Sequence, residues 1–295
     1  MACPDDVVIP TDDPIAYRLF PAHRWIYDKL RICETQGLEH SPHGIVPSRF
    51  PVFSKPIYNL HGMGVGGGVI RSREEYDRAQ TAGHLWMPLL TGPHVSSDVA
   101  VVDSMPLWWR HTTGVALRDG TFDHWTVMAE HLPAIEVYAG DWLRTHLRGY
   151  SGFVNLETIG GTIIEAHLRF ADQWVDLYGP GWLDSMVELY RDGRWRFRET
   201  ARRTGYSVVL FGDHGVRWAV DAAAVDALRH VEGVSSIQIT FHADRPPDAH
   251  AMPPGGFRLA IVNCWDLALG ILVRERLATL FRAHAPDLHH GRHPA

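Results

Sequence analysis

The sequence predicts an α+β protein built around an antiparallel sheet. Three observations carry that reading. Strand-like runs follow one another from residue 85 to residue 130 with turn residues between them. Residues 153–157 and 162–169 alternate apolar and polar side chains on either side of Gly160-Gly161, a pair suited to a tight hairpin because both positions tolerate positive φ. From about residue 205 strands and helices alternate as β-α-β-β-α, a compact α+β unit closing the chain.

The elements follow in order. VVIP (7–10) reads as a strand. Residues 23–36 read as one amphipathic helix with Trp25, Ile26, Leu30 and Cys33 on a stripe and Gly37 as its stop. Residues 50–55 form a strand ended by Pro56, and a glycine-rich loop follows from Gly62 to Gly68. Residues 72–83 are a helix with Ser72 as N-cap and Glu75 at the capping-box position. Strands are expected over 85–90, 94–103, 105–113 and 120–130, then a helix over 133–148, the hairpin, and a helix over 180–191. The closing unit has strands at SVVLFG, SSIQITFHA and FRLAIVNCW, and helices over 221–231 and 266–284.

Composition narrows the function. The 295 residues are 45% hydrophobic and 21% charged, which suits one large or two medium domains. A formal net charge of −6 leaves no global basic field for nucleic acid or acidic membrane, though a local basic pocket for a phosphorylated ligand is compatible with it. Cys3, Cys33 and Cys264 stand far apart without CxxC spacing. That argues against a disulfide scaffold or a thiolate zinc site and fits a reducing cytoplasm. The opening MACPDDVVIPTDDP lacks the apolar run of a signal peptide, and no stretch approaches the ~18 apolar residues of a membrane helix. The expectation is a cytoplasmic protein without nucleic-acid or membrane partners. The histidine-rich end falls in a tail, 286–295, expected to be disordered.

The hairpin is the most informative stretch. Alternation places Phe153, Asn155 and Glu157 on one strand face, and Ile163, Glu165, His167 and Arg169 on the matching face of its partner. Side-by-side carboxylates repel, and a divalent cation between them relieves that repulsion. A wet polar face is the plainer alternative. Upstream, the glycine run can turn backbone amides towards phosphate oxygens, with Lys55 on the strand before it. It is neither a Walker A motif nor a Rossmann fingerprint. Lys29 by itself reads as an ordinary solvated helix lysine. Arg110, His111 and Arg148 read first as structural or surface residues.

Taken in order, YDKL, FPVFSKP, GMGVGGG, MPLLTGPHVSSD, GFVNLE and IIEAHLRF resemble the ATP-grasp superfamily, with the flavour of its carbamoyl-phosphate synthetase and biotin carboxylase branch. The resemblance spans roughly residues 27 to 170. It implies an ATP-grasp fold of two α+β subdomains sandwiching a nucleotide, here with a truncated N-terminal region. The implied organisation is a shortened N-terminal segment (1–45), a lid and metal-binding core (46–200), a C-terminal α+β subdomain (201–285) and the tail. Lys29 and Lys55 would contact ATP phosphates, and Gly62, Gly64 and Gly66 would close over them. Met87 to Leu89 would face the adenine edge. Glu157 and Glu165 would hold Mg²⁺, and Arg169 would sit near the transferred phosphate. The implied activity is an ATP- and Mg²⁺-dependent ligase that activates a small-molecule carboxylate as an acyl-phosphate and couples it to an amine or another nucleophile.

Three departures qualify the resemblance. His167 stands where the family carries asparagine. As a metal ligand it would suit Mn²⁺ better than Mg²⁺; a general base or a substrate contact are the other roles open to it. His94 replaces an acid after the hinge glycine. Only a short stretch precedes Lys29, so part of the usual substrate-binding architecture would be missing, rebuilt from the C-terminal subdomain, or supplied by a homo-oligomer or a partner chain. An ATP-grasp kinase, or a degenerate ATP-grasp protein that binds nucleotide or a partner without turnover, is the alternative reading.

Overall fold

The computed structural model describes residues 3–60, 66–117, 121–213, 216–242, 244 and 257–284. Gly62, Gly64, the proline-rich run 245–256 and the tail 286–295 lie outside the described residues. The chain divides into two units, Met1–Gly114 with Thr126–Thr204, and Val115–Trp125 with Gly205–Ala295.

The first unit opens with α1 (Asp13–Leu19), capped by the Asp12 side chain, which accepts from Ile15 N–H. VVIP forms no strand. A 3₁₀ segment (Pro21–Tyr27) comes next, and the single helix expected over 23–36 is broken at Asp28. Asp28 takes an extended backbone and caps α2 (Lys29–Glu34) by accepting from Leu30 N–H. The break lets Lys29 N–H donate to Ile57 O at 3.1 Å, a donor that an unbroken helix would direct to residue 25.

A small antiparallel sheet follows, made of β1 (Ser41–Pro42), β2 (Val52–Pro56), β3 (Gly68–Ile70) and β4 (His84–Pro88) in the order β1-β4-β2-β3. Between β3 and β4, α3 (Arg73–Ala79) starts at Ser72 as expected: Ser72 Oγ accepts from Glu75 N–H, and the Glu75 carboxylate accepts from Arg71 N–H. Val52, Ile70, Tyr76 and Trp86 pack this sheet on one side. The larger sheet runs through β5 (His94–Val102) and β6 (Met105–Ala116); β7 (Phe122–Val127) brings the chain back from the second unit. After α4 (Pro133–His146) come β8 (Gly152–Ile159) and β9 (Thr162–His167), giving the order β6-β5-β8-β9. On one face α4 buries Ala139, Trp142 and Leu143 against Val99, Val154 and Leu156. The other face carries an aromatic cluster in which Trp182, the first residue of α5 (Trp182–Asp192), meets Trp108, Phe153, Phe170 and Tyr178.

The hairpin turn has φ of 57° at Gly160 and 86° at Gly161, the positive values that a two-residue connection needs. The register then slips. Glu157 faces Glu165, but Thr158 faces Ile163, so Ile164 is an extra residue. Ile163 was expected beside Glu165; the bulge turns it instead into the core under α4 and brings Ile164 round to the side of Glu165. Below the acids, Asn155 donates to Asp98 (2.7 Å) and Ser96 (2.9 Å), and Tyr178 hydroxyl and Ala171 N–H also donate to Asp98.

The second unit contains β10 (Gly205–Gly212), β11 (Arg217–Val220), α6 (Ala222–Arg229), β12 (Val234–Ile239), β13 (Phe257–Cys264), α7 (Leu267–Ala278) and β14 (Phe281–His284). β12, β13 and β10 lie side by side in one antiparallel sheet. The last helix was expected to reach residue 284. It ends at Ala278, and Phe281–His284 pairs with Arg217–Val220, a strand the sequence reading omitted. That pairing seats Phe281 in the core with Val225, Ile237 and Leu277. Among the described residues no helix is long and apolar enough to cross a membrane.

Two predictions follow from this packing. A Cβ on Gly160 would collide with Thr91 O, at a φ that favours glycine. Gly160→Ala should therefore lower the unfolding free energy by about 1–3 kcal/mol in urea titrations. Burial raises the Asp98 pKa to about 6, although its donors oppose the rise. The folded state then binds this proton more tightly than the unfolded chain does, so Asp98 favours folding below pH ~4 and that contribution is lost as pH rises towards 6. Between pH 4 and 7 the wild type should lose roughly 2–3 kcal/mol relative to Asp98→Asn; parallel stability curves for the two proteins would refute this.

Candidate functional site

A cavity of ≈ 370 Å³ opens within the first unit. Each wall has a local cause. Period-two alternation on β2 points Phe53 and Lys55 to the cavity while Val52 packs the other side. Met87 and Pro88 come from the end of β4, and Leu89 and Leu90 from the segment leaving it. The larger sheet contributes His94, Glu157, Ile159, Ile164 and Glu165. Lys29 enters from the first turn of α2, where the break at Asp28 puts it.

The charges are paired and half hidden. The sequence holds just two lysines, Lys29 and Lys55, against 26 arginines. Both line this one cavity and both are buried, at 5% and 8% exposure. Lys29 Nζ lies 2.8 Å from Glu165 Oε1. Lys55 Nζ donates to Ile164 O at 2.7 Å, the carbonyl of the bulge residue. Burial pushes the Lys55 amine down, against the pull of Glu165. Glu157 Oε2 lies 3.1 Å from His94 Nε2. Burial works against a charge on Glu157, but the His94 hydrogen bond and the positive groups around it hold its carboxyl well below the usual range. The same bond pushes the His94 imidazole up.

Of the residues singled out in the sequence, Lys29, Lys55, Met87, Leu89, Glu157 and Glu165 therefore share one cavity. Gly66 has a φ of 84°, and a Cβ there would crowd His84 and Pro56; Gly67, beside it, lines the cavity. His167 and Arg169 are not among the lining residues. They meet Asp13, which the sequence reading missed. Asp13 Oδ1 lies 3.0 Å from Arg169 Nε, and Oδ2 lies 3.0 Å from His167 Nδ1. Burial opposes ionisation of Asp13, yet His167 and Arg169 hold its pKa at about 2. Nothing local separates Asp13 from Asp12 or Asp28, which are both helix caps, and its partner Arg169 is 156 residues away. His167 Nε2 is 3.9 Å from Glu165 Oε1. Among the described residues no group of three or more His, Cys, Asp or Glu side chains is arranged to hold a metal; the cavity offers two carboxylates. Arg110 pairs with Glu199 at 2.6 Å and His111 sits between Ser97 and Glu136, both away from the cavity.

No family model matches the sequence, and no curated protein does. Solved structures match it by shape. An L-amino acid ligase from Bacillus licheniformis superimposes with a TM-score of 0.58 at 12% identity, over 90% of this chain and 73% of that one. Phosphoribosylamine–glycine ligase from Thermotoga maritima gives 0.63 at 14% identity, over 94% and 84%. The biotin carboxylase domain of the Hydrogenobacter thermophilus 2-oxoglutarate carboxylase, in complex with MgADP, ADP and bicarbonate, gives 0.63 at 13%, over 92% and 72%. The chain has the ATP-grasp fold. In this fold the small sheet brings one lysine with Phe53, Val69 and Met87, and the β8–β9 hairpin brings the two acids with Ile159 and Ile164.

The two lysines offer a direct check. An amine reagent such as trinitrobenzenesulfonate at pH 8 should modify Lys55, whose pKa is depressed, before Lys29, which is held by Glu165. Peptide mass spectrometry reads the order; Lys29 reacting first would contradict this account of the cavity.

Proposed function

We propose that the cavity binds ATP with Mg²⁺, and that the chain is a ligase that activates a small-molecule carboxylate as an acyl-phosphate and couples it to an amine or another nucleophile. One observation supports this most: the sequence's only two lysines, both buried, share a cavity with a cross-strand pair of carboxylates. A chain that uses arginine for every other permanent side-chain cation keeps lysine here, where a compact ammonium can approach phosphate oxygens. The ATP-grasp fold and the presence of ligases and an MgADP complex among its structural neighbours agree with that reading.

The donors present fit the ligands. Mg²⁺ takes oxygen ligands and is commonly held by one or two carboxylates together with substrate phosphates; Glu157 and Glu165 would supply them. Lys29 already lies against Glu165, so that carboxylate is one that a cation stabilises. Phe53, Val69, Ile159 and Ile164 make an apolar wall suited to a flat base, and the backbone of Met87 to Leu89 would face its edge. Lys29 and Lys55 would hold phosphates, with the loop carrying Gly62, Gly64 and Gly66 closing over them. ATP supplies the phosphoryl group that makes a carboxylate reactive, and the cation neutralises charge as it moves. The chain's own part is to position the phosphates, offset their charge and keep water out of an apolar cavity.

Calorimetry with ATP, with and without Mg²⁺ or Mn²⁺, tests the first half, and ADP and phosphate release across carboxylates paired with amines tests the second. No binding at millimolar ATP defeats the reading. Bound ATP should also shield Lys29 and Lys55 from amine reagents. Glu165→Gln should lower cation-dependent turnover at least about a hundredfold; unchanged turnover would remove the hairpin from the site. Binding without turnover is the second reading. It is favoured by the pairing of Arg169 with Asp13, which leaves that guanidinium already neutralised, and it predicts no ADP release with any acceptor.

A further inference from the structure

β9 is the outermost strand at its end of the large sheet. The side of it turned away from β8 has no strand to pair with, and backbone groups left unpaired in the interior are costly. At Ile163, which is fully buried, a single side chain takes the place of that strand. Gln36, two residues beyond α2, accepts from Ile163 N–H with Oε1 at 2.9 Å and donates to Ile163 O with Nε2 at 2.8 Å. Nε2 also donates to Ile32 O at 2.9 Å, and Oε1 accepts from Tyr138 hydroxyl at 2.8 Å. Both amide hydrogens and both oxygen lone pairs are thus engaged. Ile163 O and Ile32 O can only accept, and Ile163 N–H can only donate, so the partners fix which way the amide faces.

The residue gripped in this way stands next to the irregularity on which the cavity depends. The bulge makes Ile164 the extra residue, flanked by Ile163 and Glu165. Ile164 O accepts from Lys55 Nζ at 2.7 Å, and Glu165 Oε1 lies 2.8 Å from Lys29 Nζ. A slip of one residue would absorb the bulge and exchange the faces of Ile163 and Ile164. Holding Ile163 by both its backbone groups opposes that slip. Gln36 and Lys29 also stand at opposite ends of α2, so the helix is fastened to β9 twice, by an ion pair at its start and by an amide beyond its end. Only the ion pair would be given up if Lys29 turned to a phosphate, because the amide contacts involve no charge.

We propose that Gln36 is a positioning residue for the cavity: its amide locks the bulge in register, keeps the Ile164 carbonyl on Lys55, and holds α2 against β9 while Lys29 moves from Glu165 to the phosphates of a bound nucleotide. The last step rests on the reading of the cavity as an ATP site; the lock on the bulge does not. Gln36 is not among the lining residues, so it acts through Ile163 and touches no ligand itself.

Three measurements test the lock and its use. By hydrogen-exchange NMR on the wild type, the Ile163 amide should be among the slowly exchanging amides of the hairpin. Exchange at the rate of an unstructured peptide overturns the proposal, whether or not any variant folds. Gln36→Met keeps the length of the side chain and removes all four hydrogen bonds. In the folded variant, trinitrobenzenesulfonate should modify Lys55 about three- to tenfold faster than in the wild type, because the bulge no longer holds the Ile164 carbonyl on its amine. A side chain that merely stabilised the fold would lower the melting temperature and leave that rate unchanged, and an unchanged rate overturns the proposal. By calorimetry with ATP and Mg²⁺, Gln36→Met should bind about tenfold more weakly than the wild type. Equal affinity in a variant whose Lys55 has been freed overturns the nucleotide half of the proposal. If the wild type itself binds no ATP, the ATP reading falls and that half with it. The exchange and lysine rates then still decide whether Gln36 holds the bulge.

Discussion

Glu157 faces Glu165 directly across a two-stranded hairpin, and most of the first unit is arranged around that opposition. Like charges opposite one another destabilise a sheet, and here they sit at the edge of an apolar cavity where water screens them poorly. Each is compensated from a different direction. Lys29 reaches Glu165 because the chain breaks at Asp28, caps a new helix there and ties Lys29 N–H to Ile57 O. His94 reaches Glu157 from the start of β5, where the chain passes so close to the hairpin turn that only glycine fits at Gly92 and Gly160. The helix break, the close approach at Gly92 and the hairpin turn thus serve one electrostatic end.

The support beneath the acids is stiff. Asn155 and Asp98 link β8 to β5 through a fully buried network that Tyr178 and Ala171 complete, and Phe153 packs below them against Trp182. On the opposite face α4 fills the core with Trp142 and Leu143. Carboxylates placed on such a base lose little freedom when a charged ligand arrives, because their backbone positions are already set. The bulge at Ile164 adds a second use. It exposes a carbonyl to Lys55 Nζ and offers an isoleucine to the cavity in place of the one it removes to the core.

Much of this was legible locally. Ser72 with Glu75 marks a helix start, Gly160-Gly161 marks a turn, and alternation in 153–157 places Glu157 with Asn155. A plainer signal was also available: two lysines in a chain of 295 residues. A helix lysine reads as a surface residue by default, but a chain that otherwise uses arginine has a reason to keep lysine where it does. Ile163 was misplaced because a bulge changes which face a residue takes without leaving a local mark. Residues 281–284 were read as helix because their strand partner, Arg217–Val220, is distant in sequence. Asp13 is the clearest case, an aspartate next to a helix-capping aspartate whose role depends on a guanidinium far along the chain.

By itself, the sequence determined the α+β class, the hairpin with its two acids, the lysine–glycine–acid order that resembles the ATP-grasp superfamily, and six residues that share one cavity. These rest on periodicity, turn chemistry and motif order, which are properties of short stretches. Tertiary structure alone decided that Lys29 is buried against Glu165, that His94 holds Glu157, and that Asp13 gathers His167 and Arg169 away from the cavity wall. Each of these is a meeting of charges brought together by the packing of separate elements. No local pattern encodes such a meeting, because what selects the partner is the cost of leaving a charge alone in the interior.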